Sequence, residues 1–190
     1  MADILDRFKV FGIWGRVMLK VMIVGQKWLA EQLLTHCLNT QGIEVVAVSP
    51  PCDEDRLGVT ALLNRIPVTK HGKTLDATTV PDGVDVILMA HAYCFMTAEA
   101  RDKARLGAIG YHPSLLPAYK GKHAIANAFN AGERVTGGSL YQLDDGWDTG
   151  RVISQASVLI DKEDTIQTLW RNKLAVLGLE LFKDYLAGIK

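Results

Sequence analysis

The run VDVILMA at residues 84–90 decides how this chain is read. It is short, almost unbroken in apolar character and rich in β-branched residues, which is the signature of a strand buried on both faces of a sheet. Working outward, KVMIV at 20–24 and EVVAV at 44–48 repeat the pattern, and IPV at 66–68 reads as a short third strand. Between the first two strands, residues 28–38 carry apolar side chains at helical spacing (Trp28, Leu29, Leu33, Leu34, Cys37, Leu38). Residues 57–64 form a second predicted helix, and 69–83 read as irregular. On the C-terminal side, Thr97 is a plausible helix N-cap, and residues 108–111 form a strand that delivers His112 at its carboxyl end. A helix is expected over 122–131 and strands over 139–143 and 151–160. A last amphipathic helix, capped by Asp164, is expected over 165–186. Strands that alternate with helices imply an α/β fold, an open and mostly parallel sheet with right-handed crossovers. Ligands in such sheets bind outside the carboxyl ends of strands. The loops after Ala90 and Tyr111 are therefore the expected site.

The 190 residues, 48% of them apolar, suffice for one well-buried domain. Lysine plus arginine equals aspartate plus glutamate, so no global basic field attracts nucleic acid. No apolar run reaches the roughly 20 residues of a membrane span. Three widely spaced cysteines, Cys37, Cys52 and Cys94, make neither a disulfide framework nor a zinc knuckle. They are expected as reduced thiols of a cytoplasmic protein. Residues 1–17 are apolar and aromatic but interrupted by Asp3, Asp6, Arg7, Lys9 and Arg16, so they do not read as a signal peptide. They are expected to form an N-terminal extension to a domain over 18–190. Phe8, Phe11 and Trp14 in it point to packing on something, a second copy of the chain being one candidate.

Chemistry concentrates in two stretches. GYHPSLLP at 110–117 holds His112 at a strand end, with Pro113 and Pro117 restricting the backbone around it. DDGWDTG at 144–150 places Asp144, Asp145 and Asp148 on a glycine-containing turn. A histidine paired with a carboxylate is a general acid/base, and the carboxylate favours its charged form. A solvated turn would need the same residue types. Asp-Thr-Gly at 148–150 also occurs in aspartic proteases, but the chain is too short for two lobes. A metal site is not expected, because the aspartates lack flanking histidines. His91 follows the strongest strand and is a second candidate to face the site, whereas His36, His71 and His123 read as ordinary helix or loop residues. The turn after the first strand, GQKWL at 25–29, lacks the glycine patterns that cradle nucleotide phosphates. Lys27 there either meets an anion or is simply solvated.

HPSLLP at 112–117, a Lys-Gly step, a helix and then LDDGWDTG at 143–150 resemble the formyltransferase family, from about Met18 to the end. The family includes glycinamide ribonucleotide formyltransferase and methionyl-tRNA formyltransferase and uses 10-formyltetrahydrofolate. The resemblance implies a Rossmann-like single domain with helices on both sheet faces. It places the catalytic histidine on His112 and the catalytic aspartate on Asp148. It implies a folate pocket lined by Tyr93, Cys94, Phe95 and Met96 and by the turn from Asp144 through Asp145 and Gly146. It implies folate and a small amine as partners, without nucleic acid or membrane. Two departures stand out. The transferases carry asparagine two places before the histidine, where its amide stabilises the formyl oxyanion; here that position is Gly110, so that either a backbone N–H, an ordered water or protonated His112 compensates, or open space above it admits a bulkier acceptor. The phosphate-binding glycine-serine-asparagine turn is absent after Val24. The hydrolase domain of 10-formyltetrahydrofolate dehydrogenase is similar in all of these motifs and also lacks the asparagine. The sequence thus implies formyl transfer to a small amine or hydrolysis of 10-formyltetrahydrofolate, with a catalytically impaired folate-binding or regulatory protein as the alternative.

Overall fold

Strand β1 (Leu19–Gly25) is the hub of the sheet, with β2 (Ile43–Ser49) hydrogen-bonded along one edge and β4 (Val86–Ala90) along the other. The structure, a computed structural model, describes residues 18–189; the expected extension over 1–17 lies outside the described residues. Beyond β4 come β6 (Ala108–His112), β7 (Val135–Gln142) and β8 (Val152–Leu159), giving the order β2-β1-β4-β6-β7-β8. The four strands from β2 to β6 are parallel, while β7 and β8 run antiparallel at one edge. The expected α/β sheet is present, and it is mixed.

Alternation along each strand splits the core in two. Val21, Ile23, Val86, Leu88, Ile109 and Tyr111 face helices α1 (Lys27–Leu38), α2 (Arg56–Leu63) and α6 (Ala175–Gly188). Met22, Val24, Ile87, Met89 and Ala108 face the other way, toward α3 (Ala98–Asp102) and a small parallel pair formed by β3 (Thr74–Leu75) and β5 (Phe95–Met96). That pair falls partly in the stretch expected to be irregular; two residues per strand are too few to show a period. Thr97 caps α3 as expected, accepting from the Ala100 amide at 3.3 Å. The expected strand at 66–68 is only a single bridge between Val68 and Val48. Pro67 has no N–H to extend the ladder.

The predicted C-terminal helix differs in its start and its path. Thr165, not Asp164, is the N-cap, in a capping box with Thr168. After α5 (Ile166–Thr168) the chain widens into a π-helical turn, Leu169–Leu174, before α6. The Tyr111 hydroxyl donates to the Leu174 carbonyl at 2.6 Å, at the end of that turn. Single π turns are rare and often sit at functional sites, and this one carries Trp170 and Arg171 to the cleft described next. Between β6 and β7, α4 (Ala124–Asn130) begins two residues later than predicted.

Candidate active site

Because β2 lies on one side of β1 and β4 on the other, the strand order reverses between β1 and β4. A crevice opens at the carboxyl ends of strands at such a switch point. Here it is a cleft of about 1310 Å³ that reaches from Lys27 and Trp28 after β1, past His91 after β4, to His112 at the end of β6 and Asp148 in the β7–β8 turn. At Gly25, just before it, a Cβ would lie 1.9 Å from the Ala90 carbonyl oxygen, so only glycine allows the chain to turn this close to β4.

His112 and Asp148 are 6% and 9% exposed, so both are withdrawn from bulk water. His112 Nδ1 lies 3.3 Å from Asp148 Oδ2, and its Nε2 lies 2.8 Å from the Tyr119 carbonyl oxygen. Each ring nitrogen thus has an oxygen beside it. Asp148 is itself held: Oδ2 accepts from the Gly121 amide and Oδ1 from the Tyr141 hydroxyl, each at 2.7 Å. The loop carrying Tyr119 is tied to the sheet edge. The Leu116 amide donates to Ser139 Oγ at 3.0 Å, and Gln155 Nε2 donates to the Leu116 carbonyl at 2.8 Å. The pair is therefore fixed by β6, by the β7–β8 turn and by the intervening loop.

Backbone conformation marks the same place. Lys27, His91, Tyr119 and Asp148 all adopt positive φ without being glycine, at 57°, 58°, 53° and 55°. Such residues are uncommon, and strained backbone concentrates at functional sites. Of the five such residues among those described, only Arg65 has no part in this cleft or its dyad.

The other expected residues divide. Tyr93, Cys94, Phe95, Met96, Asp144 and Gly146 line the cleft, with the Phe95 ring 5.6 Å from that of Trp147. Cys94 and Met96 are buried in the core as well, and burial pushes the Cys94 thiol up to about 11. Asp144 braces the turn, accepting from Thr149 Oγ1 at 2.6 Å and the Gly146 amide at 3.0 Å, and both bonds hold its carboxyl below the usual range. Asp145 is a correction: it is absent from the cleft wall and pairs with the Arg101 guanidinium instead. Gly110 is another. A Cβ there would sit 2.8 Å from Leu143 Cδ1 and 3.0 Å from Tyr141 Cε1, so the space expected above it is filled. His123 lines the cleft although its sequence context looked ordinary, as do Tyr141 and Trp170, which sequence periodicity had no means to separate from sheet and helix packing.

His91 packs edge-on against Trp170, at 4.7 Å, and Tyr93, at 5.4 Å. Burial first, and then the charge of Lys27, lower its pKa from 6.5 to about 4. The sign follows. Between those values the unfolded chain binds a proton that the folded chain refuses, so this contribution is complete above 6.5 and is lost as pH falls toward 4. Urea unfolding at pH 7.5 and pH 5 should show a smaller loss of stability on acidification for His91→Gln than for the unsubstituted chain. Equal losses would contradict the assignment.

The expected anion position at the start of α1 is already filled. Asp55 accepts from the Lys27 amide with both oxygens, at 3.0 and 3.2 Å, and from the Leu57 amide at the start of α2 at 2.9 Å. One carboxylate thus serves two helix N-termini, where negative charge is favourable. Asp55→Ala should cost about 1–2 kcal/mol in urea denaturation, and Asp55→Asn clearly less. An unchanged midpoint for the alanine variant would contradict the double cap.

The sequence pattern of the formyl transferase family matches residues 59–183, well over half of the chain, and takes in His112 and Asp148. The chain belongs to the formyl transferase family. Human cytosolic 10-formyltetrahydrofolate dehydrogenase is 30% identical over 175 residues, which cover 85% of this chain and 19% of that protein. The chain thus spans about a fifth of that relative's length. A phosphoribosylglycinamide formyltransferase from Bacillus halodurans superposes with a TM-score of 0.73 at 24% identity, over 90% of this chain and 97% of that one. A sugar 3N-formyl transferase solved in the presence of dTDP and 5-N-formyl-THF superposes with a TM-score of 0.68 at 23% identity, over 90% of this chain and 62% of that one. These likenesses establish the formyltransferase fold, and within it the His–Asp pair is intact and buried. Among the described residues no helix is long and apolar enough to cross a membrane, and no cluster of three histidine, cysteine or carboxylate side chains is set to hold a metal.

Proposed function

We propose that this chain takes the formyl group of 10-formyltetrahydrofolate and transfers it to a small amine, using His112 and Asp148. The observation that carries this reading is the buried dyad inside a cleft whose volume, about 1310 Å³, exceeds what one ligand fills. Tyr93, Phe95, Trp147 and the turn at Asp144 offer a platform for the folate. Lys27, Arg56, His91 and Trp170 line the remaining part, where an acceptor would lie. Since Asp55 already occupies the helix start after β1, a phosphate on the acceptor is disfavoured there.

In the reaction the amine nitrogen bonds to the formyl carbon, and the C=O electrons move onto oxygen. The formyl oxygen replaces the Tyr119 carbonyl as the partner of His112 Nε2. Collapse breaks the bond to the folate nitrogen, which takes up a proton as the amine loses one, leaving an N-formyl product and tetrahydrofolate. Asp148 holds the ring in register.

Hydrolysis is the second reading, favoured by the missing side chain at Gly110 and by the 30% identity to 10-formyltetrahydrofolate dehydrogenase. Incubation with 10-formyltetrahydrofolate, with and without a panel of amino sugars and amino acids, separates the two. Tetrahydrofolate formed only with an amine supports transfer. Formate released in buffer alone supports hydrolysis. Tight folate binding with neither product would identify a binding protein. The extension over 1–17, a second copy of the chain as partner and a cytoplasmic location belong to the same proposal, and the three free cysteines are compatible with a reducing compartment.

A further inference from the structure

Gly110 and Tyr141 are direct cross-strand partners in the antiparallel pair of β6 and β7. Side chains so opposed share a face, and an aromatic ring laid over a glycine is a known way to repair the gap that glycine leaves in a sheet. A Cβ on Gly110 would lie 3.0 Å from Tyr141 Cε1 and 3.2 Å from Cζ, the carbon that bears the hydroxyl. The phenol end therefore occupies the volume into which a side chain at 110 would project. It also lines the cleft, and its hydroxyl donates to Asp148 Oδ1 at 2.7 Å. Ring packing alone would not need that hydroxyl or that partner.

We infer that the Tyr141 hydroxyl is a catalytic hydrogen-bond donor to the formyl oxyanion, taking the place of the side chain absent at Gly110. The inference rests on the formyl-transfer reading above and names a third residue of its site. In the resting state the hydroxyl hydrogen lies on Asp148. As charge grows on the formyl oxygen it turns to that oxygen, while Asp148 keeps the Gly121 amide and His112. No proton is transferred. Burial, and then the charge of Asp148, push the phenol above its ordinary range, so it stays a neutral donor throughout the working pH. A preorganised donor costs no reorganisation when charge develops, and loss of one such group typically lowers turnover by about 10²–10³-fold.

Tyr141→Phe keeps the ring over Gly110 and removes only the hydroxyl. We expect kcat for tetrahydrofolate release to fall by about 10²-fold or more, with KM for 10-formyltetrahydrofolate little changed and the circular dichroism spectrum intact. Gly110→Asn alone should not raise activity, because Tyr141 and Leu143 fill the space. Introduced into Tyr141→Ala, where only the end of the Leu143 side chain remains to be displaced, the same asparagine should recover part of the lost turnover, which a purely structural tyrosine would not predict. An active unsubstituted chain with a Tyr141→Phe variant within threefold of it would overturn the inference and leave the formyl reading standing. An unsubstituted chain that releases no tetrahydrofolate with any acceptor would overturn both.

Discussion

His112→Ala is expected to lower the turnover of 10-formyltetrahydrofolate by about 10²–10⁴-fold, the range associated with removal of a positioned acid or base. The structure gives the reason. His112 stands at the end of a strand whose five residues are all buried, and it is the ring that joins Asp148 to the loop at Tyr119. His91, also on the cleft wall, does not substitute: it is held near pKa 4 by burial and Lys27, and so stays neutral at working pH. The fold should survive, since the side chain ends at the cleft wall rather than in either core cluster. A variant that unfolds at the same urea concentration and has lost only kcat would meet the expectation. Near-full turnover would remove His112 from the chemistry.

Asp148→Asn should be almost as damaging, for a different reason. Two donors converge on this carboxylate, the Gly121 amide and the Tyr141 hydroxyl, and His112 Nδ1 lies 3.3 Å from it. Asparagine offers one acceptor oxygen and turns an NH₂ toward one of them, and it removes the negative charge beside His112. We expect kcat to fall by about 10²-fold or more, with a modest loss of stability from the donor left unpaired. Asparagine is the informative choice because position 148 has a φ of 55°, which asparagine tolerates and alanine does not. Asp148→Ala would mix backbone strain with chemistry. If Asp148→Asn binds folate normally and turns over at full rate, the dyad is structural.

Much of this was legible in the sequence because its period and its punctuation agreed. VDVILMA became the fully buried β4, and the histidine after 108–111 emerged at a strand end, in the cleft, as the α/β rule requires. Pairing of His112 with Asp148 followed from two motifs whose order and separation match one family. What sequence did not show depends on side chains meeting across the sheet. Gly110 read as a hole, because nothing in a linear chain says that Tyr141, 31 positions on, faces it in register. Asp145 read as a pocket residue because its neighbours are, yet the turn directs it to Arg101. Asp55 carries no mark in the sequence, and only the approach of two helix starts shows what it binds. The π turn at Leu169–Leu174 leaves the apolar spacing of a helix nearly intact and so gives no periodic signal.

The central claim is that this chain cleaves the formyl group from 10-formyltetrahydrofolate at the His112–Asp148 pair. The most direct measurement is the appearance of tetrahydrofolate, followed by absorbance, on mixing the unsubstituted chain and the His112→Ala variant with 10-formyltetrahydrofolate, alone and with an amine panel. The account predicts catalytic tetrahydrofolate release by the unsubstituted chain under at least one of these conditions, and its near-complete loss in His112→Ala. No release under any of them, or equal release by both proteins, would contradict it.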